Sequence, residues 1–126
     1  MAQWRFFVYL TASGRDVVIE WLDGLEREPA EKIKAVLFYQ RQFSNWPKNF
    51  CRSYEGYHDL YELKFKWKNN EFRMLGFFGI RNGEFTIVGG VAKREKIPKG
   101  VLDGAMERIR TVRIDGRRRR EYGIYE

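Results

Sequence analysis

Leu60-Tyr-Glu-Leu-Lys-Phe-Lys-Trp67 alternates strictly between apolar and charged or polar positions. After Asn69-Asn70 comes Glu71-Phe-Arg-Met-Leu-Gly-Phe-Phe78, which reads as the returning strand of a hairpin. Successive side chains of a strand point to opposite sides, so Tyr61, Leu63, Phe65 and Trp67 share one face and Glu62, Lys64, Lys66 and Lys68 the other. A two-residue Asn69-Asn70 loop in a primed turn predicts that Trp67 meets Phe72, Phe65 meets Met74 and Lys66 meets Arg73. The first two pairs are apolar. The third sets two cations side by side, which costs stability in an isolated sheet and marks a place where an anion is expected.

Working outward, Arg81-Asn-Gly-Glu84 is the strongest turn signal in the chain and feeds a third strand, Phe85-Thr-Ile-Val-Gly-Gly-Val91. With Asn82-Gly83 as a two-residue loop, Ile80 faces Phe85, Phe78 faces Ile87, Met74 faces Val91, Arg73 faces Ala92 and Glu71 faces Arg94. Lys64, Lys66, Arg73 and Arg94 then project from one face, beside Gly89, Gly90 and Ala92, whose small size leaves room for a phosphate. Leu75, Phe77 and Val88 fall on that same face, exposed to a partner or a covering helix. Glu62 also shares it and is read as an ion-pair partner of Lys64.

Upstream, residues 4–10 read as a strand. Ser13-Gly-Arg-Asp16 reads as a capping box with Ser13 as cap, ahead of helically spaced Val17, Val18, Trp21, Leu22 and Leu25. Gly24 and Pro29 interrupt the pattern. A second helix starts near Pro29, carries Ile33, Val36, Leu37, Gln40 and Phe43 on one stripe, and ends by Asn45-Trp-Pro47, where a loop runs through Tyr57. Downstream, Pro98 opens a last helix with Val101, Leu102, Ala105, Met106, Ile109 and Val112 at helical spacing. Asp115-Gly116 ends it, and residues 117–120 form a basic run read as a mobile tail. The expected architecture is α+β: an N-terminal strand and two helices, an antiparallel three-strand meander and a C-terminal helix. Residues 1–114 form the domain and 115–126 the basic tail.

At 126 residues the chain is long enough for one core without staples, and 17% aromatic content argues against disorder. Its 24 Lys and Arg against 17 Asp and Glu give a formal charge of +7, a balance suited to nucleic acid, an anionic membrane surface or an acidic protein. The lone cysteine, Cys51, excludes an intrachain disulfide framework and a cysteine-based zinc site, and fits a reducing cytoplasm. One histidine and no cysteine cluster leave no metal site to expect, and no cofactor is implied. No apolar run approaches membrane-spanning length, so a membrane is not an expected partner.

Lys64-Phe-Lys66, Glu71-Phe-Arg73 and Val91-Ala-Lys-Arg-Glu-Lys96, in this element order, resemble the RelE/ParE toxin superfamily. The spelling Leu60-Tyr-Glu-Leu-Lys-Phe-Lys, Phe77-Phe-Gly79 and Ala92-Lys-Arg-Glu-Lys-Ile-Pro98 is closer to its phage-derived, HigB-like branch. The resemblance spans roughly residues 3–112. It implies the toxin of a type II toxin–antitoxin pair, a metal-independent endoribonuclease that cleaves mRNA, often in the ribosomal decoding site. Its implied partner is a small antitoxin, commonly with a helix-turn-helix. Lys64, Lys66, Arg73 and Arg94 stand at the superfamily's catalytic cation positions, with Lys68, Lys93 and Lys96 as flanking RNA-binding charges. RelE members carry a tyrosine about two turns after the last arginine; this chain has Gly100 near there.

Metal-free RNA cleavage needs the 2′-hydroxyl deprotonated, the phosphorane charge neutralised and the leaving 5′-oxygen protonated. Lys64 or Lys66 is the candidate base. Arg73, which does not deprotonate, suits stabilisation of the transition state, and Arg94 suits the same task or proton donation through water. His58, the only histidine, is a further acid–base candidate. Trp46, Tyr54 and Tyr57 are able to stack on bases but are expected to pack at the core or its rim. Two other functions fit the same fold: a ParE-like poison of DNA gyrase acting by protein contact, and a non-toxic phage-derived nucleic-acid-binding or regulatory protein.

Overall fold

The hairpin that decides the fold forms, two residues out of the expected register. In the computed structural model, which describes residues 3–92 and 96–126, β3 (Tyr61–Trp67) and β4 (Asn70–Phe78) are joined by Lys68-Asn69. Trp67 therefore faces Asn70, Phe65 faces Phe72, Lys66 faces Glu71 and Lys64 faces Arg73. Lys68 supplies the left-handed turn conformation (φ 55°) that the asparagines were expected to supply. The slip leaves each residue on its expected face, pairs Lys66 with Glu71, and moves the opposition of two cations to Lys64 and Arg73.

The second hairpin departs further. Phe78 rather than Ile80 closes onto Phe85, the first residue but one of β5 (Glu84–Ala92). The turn is widened because Thr86 Oγ1 donates to the Gly79 carbonyl (2.8 Å) and the Arg81 amide donates to Glu84 (3.2 Å). The register then shifts between Leu75 and Gly76, leaving Val88 as the extra residue of a bulge. Gly76 permits this close approach: a Cβ there would lie 2.2 Å from the Thr86 carbonyl oxygen. Beyond the bulge Gly89 opposes Leu75 and Val91 opposes Arg73, whereas Gly90 and Ala92 oppose Met74 and Phe72 on the other face. The expectation that Gly90 and Ala92 open room beside the cations is thereby corrected. Gly90 lies beneath Trp21, whose ring atoms would be 2.3 Å from an added Cβ.

Six strands in the order β2-β3-β4-β5-β1-β6 make up the sheet among the described residues. β1 (Arg5–Tyr9) runs parallel to β5 and antiparallel to β6 (Arg119–Glu121). β2 (Cys51–Ser53), in the stretch expected as loop, pairs antiparallel with β3 and places Arg52 opposite Glu62. The basic run is likewise not a mobile tail. A 3-10 turn (Gly116–Arg118) leads into β6, where Arg119 pairs with Glu84 at 2.6 Å and stacks 3.7 Å over Phe7. Arg118 reaches the Leu10 carbonyl and the Tyr9 hydroxyl at 2.9 Å, and Arg120 pairs with Asp16.

Both faces of the sheet are covered. On the first, α1 (Val17–Asp23) and α2 (Arg27–Gln40) bury Val18, Leu22, Ile33 and Leu37 against Phe6, Val8, Leu63, Phe65, Met74, Phe85 and Ile87. The cap of α1 is Asp16, which accepts from the Ile19 amide at 3.0 Å; Ser13 is hydrogen-bonded to Thr11 instead. Trp46 belongs to this core, with its Nε1 donating to the Gln40 carbonyl at 2.8 Å. On the second face α3 (Lys99–Ile114) lays Leu102, Ala105, Ile109 and Val112 over Leu75, Phe77 and Val88. Of the two occupants expected for Leu75, Phe77 and Val88, a partner or a covering helix, the structure supplies the helix. Burying a side chain such as Phe77 stabilises the fold by roughly 1.5–3 kcal/mol.

Candidate functional site

α3 covers only part of the second face, and the charged end of the β3–β4 hairpin stays open. Across it run three rows: Arg52 and Glu62 beside Leu75, then Lys64 and Arg73 beside Val91, then Lys66 and Glu71. Lys64, Lys66 and Arg73 are brought together as expected, but two carboxylates stand among them. Glu62 is fully buried (0% exposed) and accepts from Arg52 Nε at 2.6 Å and Arg73 at 3.4 Å. It does not pair with Lys64 as expected, because β2 supplies Arg52. Arg73, 9% exposed, also donates to Glu71 at 3.2 Å, and Lys66 Nζ lies 3.9 Å from the same carboxylate. The Arg73 hydrogen bond first, and the nearby Lys64 charge further, hold the Glu71 carboxyl below its ordinary value against the opposing effect of desolvation.

Beside these rows lies a cleft of about 510 Å³ lined by Arg52, Ser53, Tyr54, Glu55, Arg73 and Lys96. Arg52 is about half exposed there (53%). Arg52 and Tyr54 were not singled out for this cleft from the sequence, because both depend on β2. Tyr54 packs edge-to-face on Tyr57 at 6.0 Å, and the Tyr57 hydroxyl donates to Asp103 of α3 at 3.3 Å. Of the other expected site residues, Lys96 lines the cleft and Lys68 forms the hairpin tip. Lys93 and Arg94 lie outside the described residues. His58 sits in the β2–β3 connection, 89% exposed, 3.2 Å from Asp59, and does not line the cleft.

Cys51 is buried, and desolvation together with the Glu62 charge pushes its thiol up to about 12, which makes it a poor nucleophile. Among the described residues, no group of three or more His, Cys, Asp or Glu side chains is placed to hold a metal, and no helix is long and apolar enough to cross a membrane.

The family model "Phage derived protein Gp49-like (DUF891)" matches residues 20–110. The chain belongs to the Gp49-like family. The matched span of this Gp49-like protein runs from α1 into α3 and includes every described residue of the hairpin rows and the cleft. A similar solved structure is the E. coli toxin RelE in the free state, a variant with two arginines replaced by alanine. It aligns with a TM-score of 0.56 at 16% identity, covering 86% of this chain and 99% of that one. The likeness establishes a shared fold, three helices on a mixed sheet. No curated protein matches the Gp49-like chain.

Proposed function

We propose that this protein is the toxin of a toxin–antitoxin pair and acts as a metal-independent endoribonuclease on mRNA. The single observation that carries the reading is the row in which half-buried Lys64 opposes buried Arg73, next to a cleft edged by Arg52, Arg73 and Lys96. Family membership and the RelE-like fold support it. The cleft concentrates guanidinium and ammonium donors where a phosphodiester is bound, and three of its donors come from separate structural segments, so the phosphate is held by a preorganised frame.

In this reading Lys64 takes the proton from the 2′-hydroxyl. The 2′-oxygen bonds to phosphorus, the bond from phosphorus to the 5′-oxygen breaks, and a cyclic phosphate and a 5′-hydroxyl result. Arg52 and Arg73 offset the charge that builds on the equatorial oxygens, and Lys96 delivers a proton to the departing oxygen. Glu62 fixes both guanidinium groups by accepting from each. Lys66, more exposed and shared with Glu71, attracts the strand without taking part in the proton transfers. The HigB-like assignment, action in the ribosomal decoding site and a helix-turn-helix antitoxin belong to the same proposal.

Induction in bacteria of the wild type, Lys64→Ala and Lys64→Arg tests it, with mRNA ends mapped alongside growth. Wild-type induction is expected to arrest growth with new mRNA 5′ ends, and both variants to lose cleavage, since arginine restores charge without a titratable base. Arrest by all three without RNA cleavage would sink the nuclease reading and favour a gyrase poison. Absence of arrest and cleavage by the wild type would favour a non-toxic binding protein.

A further inference from the structure

The hairpin tip carries a second opening that the catalytic reading leaves unused. On the first face, a cleft of about 680 Å³ runs between the tip and the α1–α2 junction, lined by Trp67, Phe72, Leu25, Pro29 and Lys68 among others. Its volume falls in the range of about 300–1,000 Å³ usual for ligand sites. Trp67 is only half-buried and lies at the rim of the apolar core, and the Lys68 ammonium stands 5.8 Å from its ring centroid. A smaller opening of about 360 Å³ around Lys66, Lys68 and Asn70 shares Lys68, Asn70 and Glu71 with it. The two openings therefore join the basic second face to the aromatic first face around the tip. β2 stops opposite Leu63, so among the described residues the outer edge of β3 from Phe65 to Trp67 has no strand beside it.

We infer that this cleft is a base-stacking site: one unpaired nucleobase of the bound RNA lies on the Trp67 ring, with its flanking phosphate on Lys66 and Lys68. The inference rests on the proposed RNA substrate and adds to it the position and chemistry of a second contact. The aromatic floor together with the two lysines of the tip selects the occupant. The smaller opening at the mouth carries Lys66 and Lys68 beside Glu71, and the larger cleft has Lys68 with Glu26 and Glu71 in its lining. The floor is the Trp67 indole with an adjoining apolar wall of Leu25, Pro29 and Phe72, and a nucleotide presents an anion to the lysines and a flat π surface to the ring. Stacking is tolerant of base identity, so the site anchors the strand rather than reading it.

The test is fluorescence anisotropy of the full chain with a labelled 2′-O-methyl RNA octamer, which lacks the reacting hydroxyl and stays intact. Trp67→Ala is expected to weaken binding about 5- to 150-fold, and Trp67→Phe to retain most of it. An abasic substitution walked along the octamer is expected to weaken wild-type binding at one position and to have no further effect there in Trp67→Ala. The abasic series on the wild type needs no variant to fold. Tight wild-type binding with no sensitive abasic position, or with Trp67→Ala unchanged, overturns the stacking site and leaves the RNA reading standing. No binding of the octamer by the wild type at low salt overturns the stacking site, and the mapped mRNA ends then decide the nuclease reading separately.

Discussion

Two clusters on the same face of the sheet use the same arrangement, a buried glutamate between two arginines, and reach opposite ends. At the hairpin, Glu62 lies between Arg52 and Arg73; at the far edge, Glu84 lies between Arg5 (3.6 Å) and Arg119 (2.6 Å). The edge cluster is saturated. Arg5 is also bidentate to Glu121, and Arg119 donates to the Gly79 carbonyl and to Thr86 while covering Phe7. The hairpin cluster has Lys64, Lys66 and Lys96 beyond what Glu62 and Glu71 neutralise, with a cleft beside it. The lesson is that arginine count alone does not mark a site. The edge cluster also borders an opening, of about 420 Å³, so the balance of charge and not the opening separates the two: a balanced, stacked cluster fastens the chain, and an unbalanced one can bind an anion.

The largest effect that sharpens this contrast is on stability. Glu84→Ala leaves the buried Arg119 charge without its partner and is expected to cost about 3–5 kcal/mol in urea unfolding. Glu62→Ala is expected to cost less, about 1–3 kcal/mol, because Glu71 still engages Arg73 and Arg52 is half in water. Equal losses would erase the distinction. Next comes function: Lys64→Ala is expected to lower RNA cleavage about 100-fold or more with an unchanged unfolding midpoint, whereas Arg5→Ala leaves the cleavage rate of the folded protein unaltered.

Acid offers a smaller test. Glu71, Glu84 and Glu121 all titrate below the ordinary value of 4.5. For Glu84, burial works the other way and is overcome by the Arg119 hydrogen bond and the Arg81 amide. A carboxylate depressed in the fold contributes its stability in full above the unfolded value and loses it as pH falls through the lower folded value. Unfolding free energy is therefore expected to be insensitive to these groups from pH 7 to 5 and to decline below about 4.5. Glu121→Gln should make that decline shallower, and a decline already under way at pH 6 would break the account. The smallest effect is at the rim, where Lys66→Ala and Lys68→Ala are each expected to reduce the salt dependence of RNA binding by about 0.7 in log–log slope.

The alternation at Tyr61, Leu63, Phe65 and Trp67 was enough to read the hairpin and the face of every residue in it. Its register was not legible, because Lys68-Asn69 and Asn69-Asn70 compete as loops and only Lys68 adopting a left-handed φ decides between them. The bulge at Gly76 depends on a close approach to Thr86 that no local pattern announces. β2 and β6 are three residues each, too short to show a period, and they form only against β3 and β1. Missing β2 hid Arg52 from the site, left Tyr54 read as a loop residue packed at the core rim without the cleft it lines, and turned Glu62 from the buried centre of an arginine pair into a surface partner of Lys64. Missing β6 made residues 117–120 look like loose charge when they are a clamp.

The place of β1 in the sheet has a consequence for synthesis. It is held between β5 and β6, and its Arg5 meets Glu121 across 116 residues. Contacts of that span form late and slowly, since long loops must close before they are rewarded. A nascent chain can assemble α1, α2 and even the β3–β4 hairpin while leaving β1 without either neighbour. The Lys64 row would then exist before the sheet that steadies it, and the completed scaffold would appear only once β6 has emerged from the ribosome that made it.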